Sequence, residues 1–197
     1  MIKALIFDLN GIFIKSEHLS KRFAKTFKVA EIEFSEVLKK ILAIVRLPDA
    51  KNLYHYFQPY FQKWQLKLSE DEFKNFWFNA EQLDKDMLEL IKIYKAKGIK
   101  CIILSNNLKE RTEYYKQNFP ELFQTFDRLY LSFETGLRKT DLQAYKQVLA
   151  KNLLSGDECL YFDSDINNVN LAKKLGINGF LFTNLKSTDK IIKEYIK

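Results

Sequence analysis

Histidine and cysteine are scarce in this chain, with two of each in 197 residues. Cys101 and Cys159 each begin an apolar run and lack the spacing of a zinc or redox motif, so buried, reduced thiols are expected. His18 and His55 stand apart, with no partner at ligand spacing, and surface or interface positions are expected for them. No stretch approaches the roughly 18 apolar residues of a membrane span. The apolar stretch near the amino terminus is interrupted by Asp8, so no signal peptide is expected. No internal repeat or low-complexity segment occurs. The net charge of +7 could steer anionic substrates, yet the lysines are scattered, with no basic run and no RNA-binding signature. A cytoplasmic protein with neither a nucleic-acid nor a membrane partner is therefore expected. Its oligomeric state is left open. The length suits one α/β core plus a modest insertion.

What is present is a recurring unit: an apolar strand, then a polar residue able to do chemistry. Ala4-Leu5-Ile6-Phe7-Asp8-Leu9-Asn10-Gly11 reads as a strand covered on both faces, ending in a carboxylate. Open α/β sheets bind ligands at that carboxyl edge. The pattern returns at Ile102-Ile103-Leu104-Ser105-Asn106, at Arg138-Lys139 after a glycine, and at Leu160-Tyr161-Phe162-Asp163-Ser164-Asp165. A carboxylate, a hydroxyl, a cation and a second carboxylate in this order suggest phosphoryl transfer.

Between the first strand (3–7) and the rest, the pattern turns helical. Phe23, Phe27 and Phe34, then Tyr54, Phe57, Phe61 and Trp64, recur at helical intervals. Residues 16–82 hold 13 of the 29 aromatic residues, so these rings are expected to form a bundle core of their own. Pro48 breaks the run, and Ser69-Glu70-Asp71-Glu72 offers a helix cap. Afterwards helices at 84–97, from Leu108, at 141–151 and at 168–175 alternate with strands at 99–104, 129–131, 158–162 and 179–182. Strands separated by helices imply right-handed crossovers and a Rossmann-like parallel sheet with helices on both faces. The expected organisation is one core domain from residues 1–14 and 83–197, with a small helical cap inserted at 15–82.

The four fragments, in this order and with this insertion, resemble the haloacid dehalogenase-like hydrolase superfamily over nearly the whole chain. The insertion and Glu134-Thr135-Gly136-Leu137-Arg138-Lys139-Thr140-Asp141 are similar to the phosphoglycolate-phosphatase-like and epoxide-hydrolase-phosphatase-like branches, although Thr140 stands where proline is common. The resemblance implies that Asp8 is a nucleophile forming an aspartyl-phosphate on a small phosphorylated substrate. It implies that Ser105 and Asn106 hold phosphoryl oxygens, with Arg138 as a further contact, and that Lys139 neutralises the attacking group. It also implies Mg2+ held by the Asp8 carboxylate, the Asn10 backbone carbonyl and a carboxylate of the last motif. In that motif Ser164 falls on the family's second aspartate. Asp163, which ends the strand, is preferred as the ligand, while Asp165 is either the alternative ligand or a helix N-cap.

Asn10 departs from the phosphatase pattern, which places an aspartate there to protonate the leaving oxygen and activate water. A carboxamide does neither at neutral pH, and general acid–base catalysis typically contributes ~10²–10⁴-fold. The first reading is thus a magnesium-dependent phosphatase slowed by Asn10. Two alternatives stay open: carbon–halogen hydrolysis through an ester at Asp8, and a catalytically degenerate binding or regulatory protein. Cap residues Lys15, Lys21, Arg22, Arg46 and Tyr56 are candidate substrate contacts, unranked by the sequence.

Overall fold

The computed structural model describes residues 1–196. Its first strand, β1 (Ala4–Phe7), is buried along its whole length. The chain turns at Gly11, whose φ of +90° belongs to the region that disfavours side chains, and enters the two-residue β2 (Ile14–Lys15). Four helices follow: α1 (Leu19–Phe27), α2 (Glu31–Val45), α3 (Leu53–Lys63) and α4 (Glu70–Phe78). The chain returns through β3 (Gln82–Leu83), antiparallel to β2. Then come α5 (Lys85–Ala96), β4 (Lys100–Ser105), α6 (Lys109–Asn118), α7 (Pro120–Thr125) and β5 (Arg128–Leu131). A short α8 (Ser132–Thr135), α9 (Leu142–Asn152), β6 (Cys159–Asp163), α10 (Ile166–Lys173), β7 (Asn178–Leu181) and α11 (Leu185–Tyr195) complete it.

The five longer strands form one parallel sheet in the order β5-β4-β1-β6-β7, the Rossmann-like α/β arrangement expected from the sequence. Alternation of side chains divides each strand between two cores. Leu5, Phe7, Cys101, Ile103, Leu160 and Phe162 face α5, α6, α7 and α11 through Met87, Ile91, Tyr94, Tyr115, Leu122 and Ile192. Ala4, Ile6, Ile102, Leu104, Cys159 and Tyr161 face α9 and α10 through Ala144, Tyr145, Val148 and Ala172. Both thiols are buried, as expected, and burial pushes each up to about 12.

Helices α1–α4 surround a third core, in which Phe23 stacks on Phe34 at 3.9 Å and Phe57, Phe61 and Phe73 close around them. Five of these rings are almost wholly excluded from solvent, so the periodic aromatics are packing groups. Ser69 and Glu72 form a reciprocal capping box that starts α4. Arg22 donates to the carbonyls of Phe76 and Trp77 at 2.8 and 3.0 Å and so ties α1 to the end of α4.

This helical group rests on α6. Leu108 belongs to its core, Tyr114 packs against it, and Glu110 accepts from the Leu53 N–H at 2.5 Å, serving the first turn of α3. Several elements had no counterpart in the sequence reading: the β2–β3 pair, α7, α8 and α11.

Candidate active site

β1 lies mid-sheet between β4 and β6, where the chain order reverses and an α/β sheet opens a crevice beyond its carboxyl ends. Register decides what meets there. Phe7 is level with Ile103 and Phe162, and the Asp8 N–H donates to the Phe162 carbonyl at 2.9 Å. Asp8, Ser105 and Asp163 therefore emerge together from three adjacent strands. Asp8 Oδ1 accepts from the Leu9 N–H at 2.7 Å and from Ser105 Oγ at 2.9 Å. Its Oδ2 lies 2.8 Å from Lys139 Nζ, which reaches Asp163 Oδ2 at 2.7 Å.

Lys139 is thus buried between two carboxylates, each within ion-pair distance of its ammonium. Two residues hold its backbone. Asn106 Oδ1 accepts the Lys139 N–H at 2.9 Å, and the Tyr145 hydroxyl donates to the Lys139 carbonyl at 3.0 Å. Asn106 Oδ1 thereby helps place Lys139. Arg138 stands beside it, half-buried, on the wall of a cavity of about 380 Å³ that it shares with Asn106, Leu42 and Arg46.

The Asp163 carboxylate is turned inward. Its Oδ2 accepts from Lys139, from Asn168 Nδ2 at 3.1 Å and from the Tyr161 hydroxyl; its Oδ1 accepts the Asp165 N–H at 2.8 Å. Burial first, and then the Asp163 charge, raise Tyr161 well above the ordinary phenol range, so its proton stays. Asp165 accepts the Asn167 N–H at 2.9 Å and is the N-cap of α10, the helix-start reading of this residue. Ser164 is exposed and lines, with Asn10 and Gly11, a cavity of about 890 Å³. A Cβ added at Gly11 would meet Ser164 Oγ at 3.3 Å, so the glycine permits this close approach.

Magnesium was the expected cation, and the oxygens here suit it sparingly. Among the described residues no three acidic, histidine or cysteine side chains converge on a metal-sized site. The hard oxygens at hand are the Asp8 carboxylate beyond β1 and, on the wall of the larger cavity, those of Asn10 and Ser164. Mg2+ commonly takes only one or two protein carboxylates and completes its shell with water and substrate phosphate. The hard-oxygen set therefore fits the ion, and Asp163, the expected further ligand, accepts hydrogen bonds from Lys139, Asn168 and Tyr161.

A second network, absent from the sequence reading, surrounds Asn10. The Tyr115 hydroxyl lies 2.9 Å from Asn10 Oδ1 and 2.7 Å from Glu81 Oε2, and Arg111 grips both Glu81 oxygens, its Nε at 3.1 Å. Glu81 and Tyr115 are buried. Burial raises Tyr115 well above the usual range, opposed by the Arg111 charge and reinforced by that of Glu81. A hydroxyl has a single proton, so only one of these two contacts is its donation; at the other, a carboxamide can supply the hydrogen from its NH2 group. The available signal was Arg111 and Tyr115 at i,i+4 on the helix leaving Ser105-Asn106, one face directed back to the site.

Of the five cap candidates, Arg46 comes nearest the chemistry. It follows α2, lines both cavities, and its Nε is buried with no hydrogen-bond partner among the described residues. Burial, reinforced by Arg111 and Arg138 and opposed by Asp8, pushes it down to about 10, which leaves it charged at neutral pH. Lys15 pairs with Asp84 at the cavity rim, Lys21 lies out toward Glu17, Arg22 is structural, and Tyr56 accepts from the Lys51 N–H. His18 and His55 are exposed, and His18 lies on the wall of the larger cavity.

Comparison with known proteins agrees with this geometry. A family model described as haloacid dehalogenase-like hydrolase matches residues 2–176. The sesquiterpene phosphatase astK of Aspergillus oryzae is 26% identical over 105 residues, 53% of this chain, and the chain spans about half (53%) of that relative's length. A HAD family enzyme from Bacteroides thetaiotaomicron superposes with a TM-score of 0.82 at 20% identity, covering 97% of this chain and 98% of its own. That enzyme has also been solved with magnesium and inorganic phosphate. The L-2-haloacid dehalogenase of Xanthobacter autotrophicus superposes at 0.66 with 16% identity, covering 99% of this chain and 83% of its own.

Proposed function

The chain belongs to the haloacid dehalogenase-like hydrolases, and from that premise we propose that it is a magnesium-dependent phosphatase of a small phosphorylated metabolite, with Asp8 as the nucleophile. The observation that carries the reading is the Asp8 carboxylate beyond a central strand, with Ser105 on one oxygen and Lys139 on the other. A haloester mechanism needs the carboxylate but has no use for a hard-oxygen cation site beside it. The phosphatase name of one relative and the magnesium–phosphate complex of another support the same choice.

In the reaction, an Asp8 oxygen forms a bond to phosphorus as the bond to the ester oxygen breaks. Water then attacks phosphorus, releases inorganic phosphate and restores the carboxylate. Ser105 turns its hydroxyl from Asp8 to a phosphoryl oxygen. Lys139 offsets charge on the attacking and transferred groups, held there by Asp163 and Asn106. Asp8, the Asn10 carbonyl and Ser164 would hold magnesium, which when bound would supply charge neutralisation between phosphate and carboxylate. Asn10 has no acidic proton to give, so the leaving oxygen departs best when it is already a stable anion. We assign α1–α4 as the cap, which closes the site against water and contacts the leaving group.

The test is release of inorganic phosphate and of halide from aryl phosphates and 2-haloacids, with and without chelator. Phosphate release alone is expected, abolished by Asp8→Asn and by chelation. Release unchanged in Asp8→Asn overturns the nucleophile; halide release that survives chelation establishes the dehalogenase. A chain that binds beryllium fluoride but turns nothing over is the regulatory alternative, to which Asn10 and Ser164 lend weight.

A further inference from the structure

The cations around the nucleophile outnumber the carboxylates, and the surplus has a definite location. Lys139 is committed to Asp8 and Asp163, and Arg111 to Glu81. Arg46 and Arg138 have no side-chain ion pair among the described residues, although each acts electrostatically on the other. An unpaired guanidinium half withdrawn from water, next to like charges, is an unfavourable arrangement on its own. It becomes favourable when an anion lies between the groups. Three carboxylates (Asp8, Asp163, Glu81) face four cations (Lys139, Arg111, Arg46, Arg138), Asp86 and Lys39 on the cavity walls offset each other, and a bound divalent ion would raise the excess to three. A phosphate monoester dianion removes two. One positive charge is left, on the cap side of the site.

The cavities say where the remaining charge is used. Arg46 faces the larger one together with Asn10, Gly11 and Ser164, and the smaller one together with Asn106 and Arg138. Leu19, Leu42 and Trp77 supply apolar wall alongside it, room for an organic spacer. At the rim, the charge of Lys15 is cancelled by Asp84.

We propose that Arg46, assisted by Arg138, binds a second anionic group of the substrate, so that the preferred substrates are phosphate esters carrying a carboxylate or a second phosphate. This rests on the phosphatase reading and names its substrate class. Arg46 contacts the part of the substrate that leaves, not the phosphoryl group that is transferred. The planar guanidinium suits either oxyanion by paired N–H donation.

The experiment compares kcat/KM for phenyl phosphate, 4-carboxyphenyl phosphate and benzene-1,4-diyl bisphosphate on the magnesium-loaded enzyme, with calorimetric binding of the same probes to Asp8→Asn protein. A preference of roughly ten- to a hundredfold for the two doubly anionic probes is expected, the range of one charge-assisted contact. In Arg46→Gln that ratio falls toward one, in Arg46→Lys part of it returns, and the binding ratio moves in parallel. A merely structural role would lower all three rates together and leave the ratio alone, which overturns the proposal. So does a wild-type ratio near one while phenyl phosphate is cleaved in an Asp8-dependent way; cleavage independent of Asp8 sinks the phosphatase reading itself. Preference for the bisphosphate alone, or for the carboxylate alone, identifies which oxyanion the arginines take.

Discussion

A carboxamide two residues after Asp8, the proposed nucleophile, sets the chemical limits of this site. Asn10 keeps its backbone carbonyl, so its effect falls on proton transfer and not on the cation. Asn10→Asp is therefore expected to raise kcat for alkyl phosphates by about 10²-fold while changing nitrophenyl phosphate only slightly. A plot of rate against leaving-group pKa, flatter in the variant, measures this; equal gains for both substrates would contradict it. Ser164 is the matching departure on the cation side. Ser164→Asp would add a second carboxylate to the proposed cation site, and the magnesium concentration for half-maximal activity is expected to fall roughly tenfold. These two residues were visible in the sequence because each stands where a motif has a different residue. Glu81, Arg111 and Tyr115 were not: they carry no motif, and only the docking of α6 beneath the helical group brings them to Asn10.

At the scale of elements, buried strands ending in polar residues were legible because the apolar runs were short, bounded and interrupted by helical periodicity. Helix starts were legible where an Asp or Ser caps them, as Asp84, Asp141 and Ser69 do. The two-residue pairing of β2 with β3 was not, since it is too short for a period and is fixed by the chain's return. Asp165 shows the ambiguity of one residue type with two uses: cap and ligand are both carboxylate tasks, and only coordinates separate them. Asp165→Ala should cost about 1 kcal/mol in chemical denaturation, the usual value of an N-cap. The magnesium dependence of turnover should stay as it was. A large rise in the magnesium requirement would return Asp165 to the cation site.

Across the whole molecule, the start of the chain is fastened to the segment that leads into β6, the strand beside β1. The Lys3 N–H donates to the Glu158 carbonyl at 2.8 Å, and the Lys3 ammonium pairs with the Glu158 carboxylate, which also accepts the Ser155 N–H at 3.0 Å. The hydrogen bond from Lys3, followed by that from Ser155, holds Glu158 down at about 2. Because the folded value lies below the unfolded one, this contribution is complete above about pH 4.5. It is lost as the pH falls toward 2. The melting-temperature gap between wild type and Glu158→Gln should therefore be present at neutral pH and close over that acid range. A gap independent of pH would mean that the carboxylate charge is not what matters.

The same scale gives the Glu81 network its significance. Glu81 stands just before β3, at the base of the helical insertion, while Arg111 and Tyr115 belong to a helix that carries the sheet's own edge. If α1–α4 rock about that narrow stalk as the proposed cap, Glu81 moves relative to the Tyr115 phenol, which also contacts Asn10, two residues from the proposed nucleophile. Admission of substrate and the alignment of residue 10 are then one mechanical event: a gate whose latch is felt at the reacting centre.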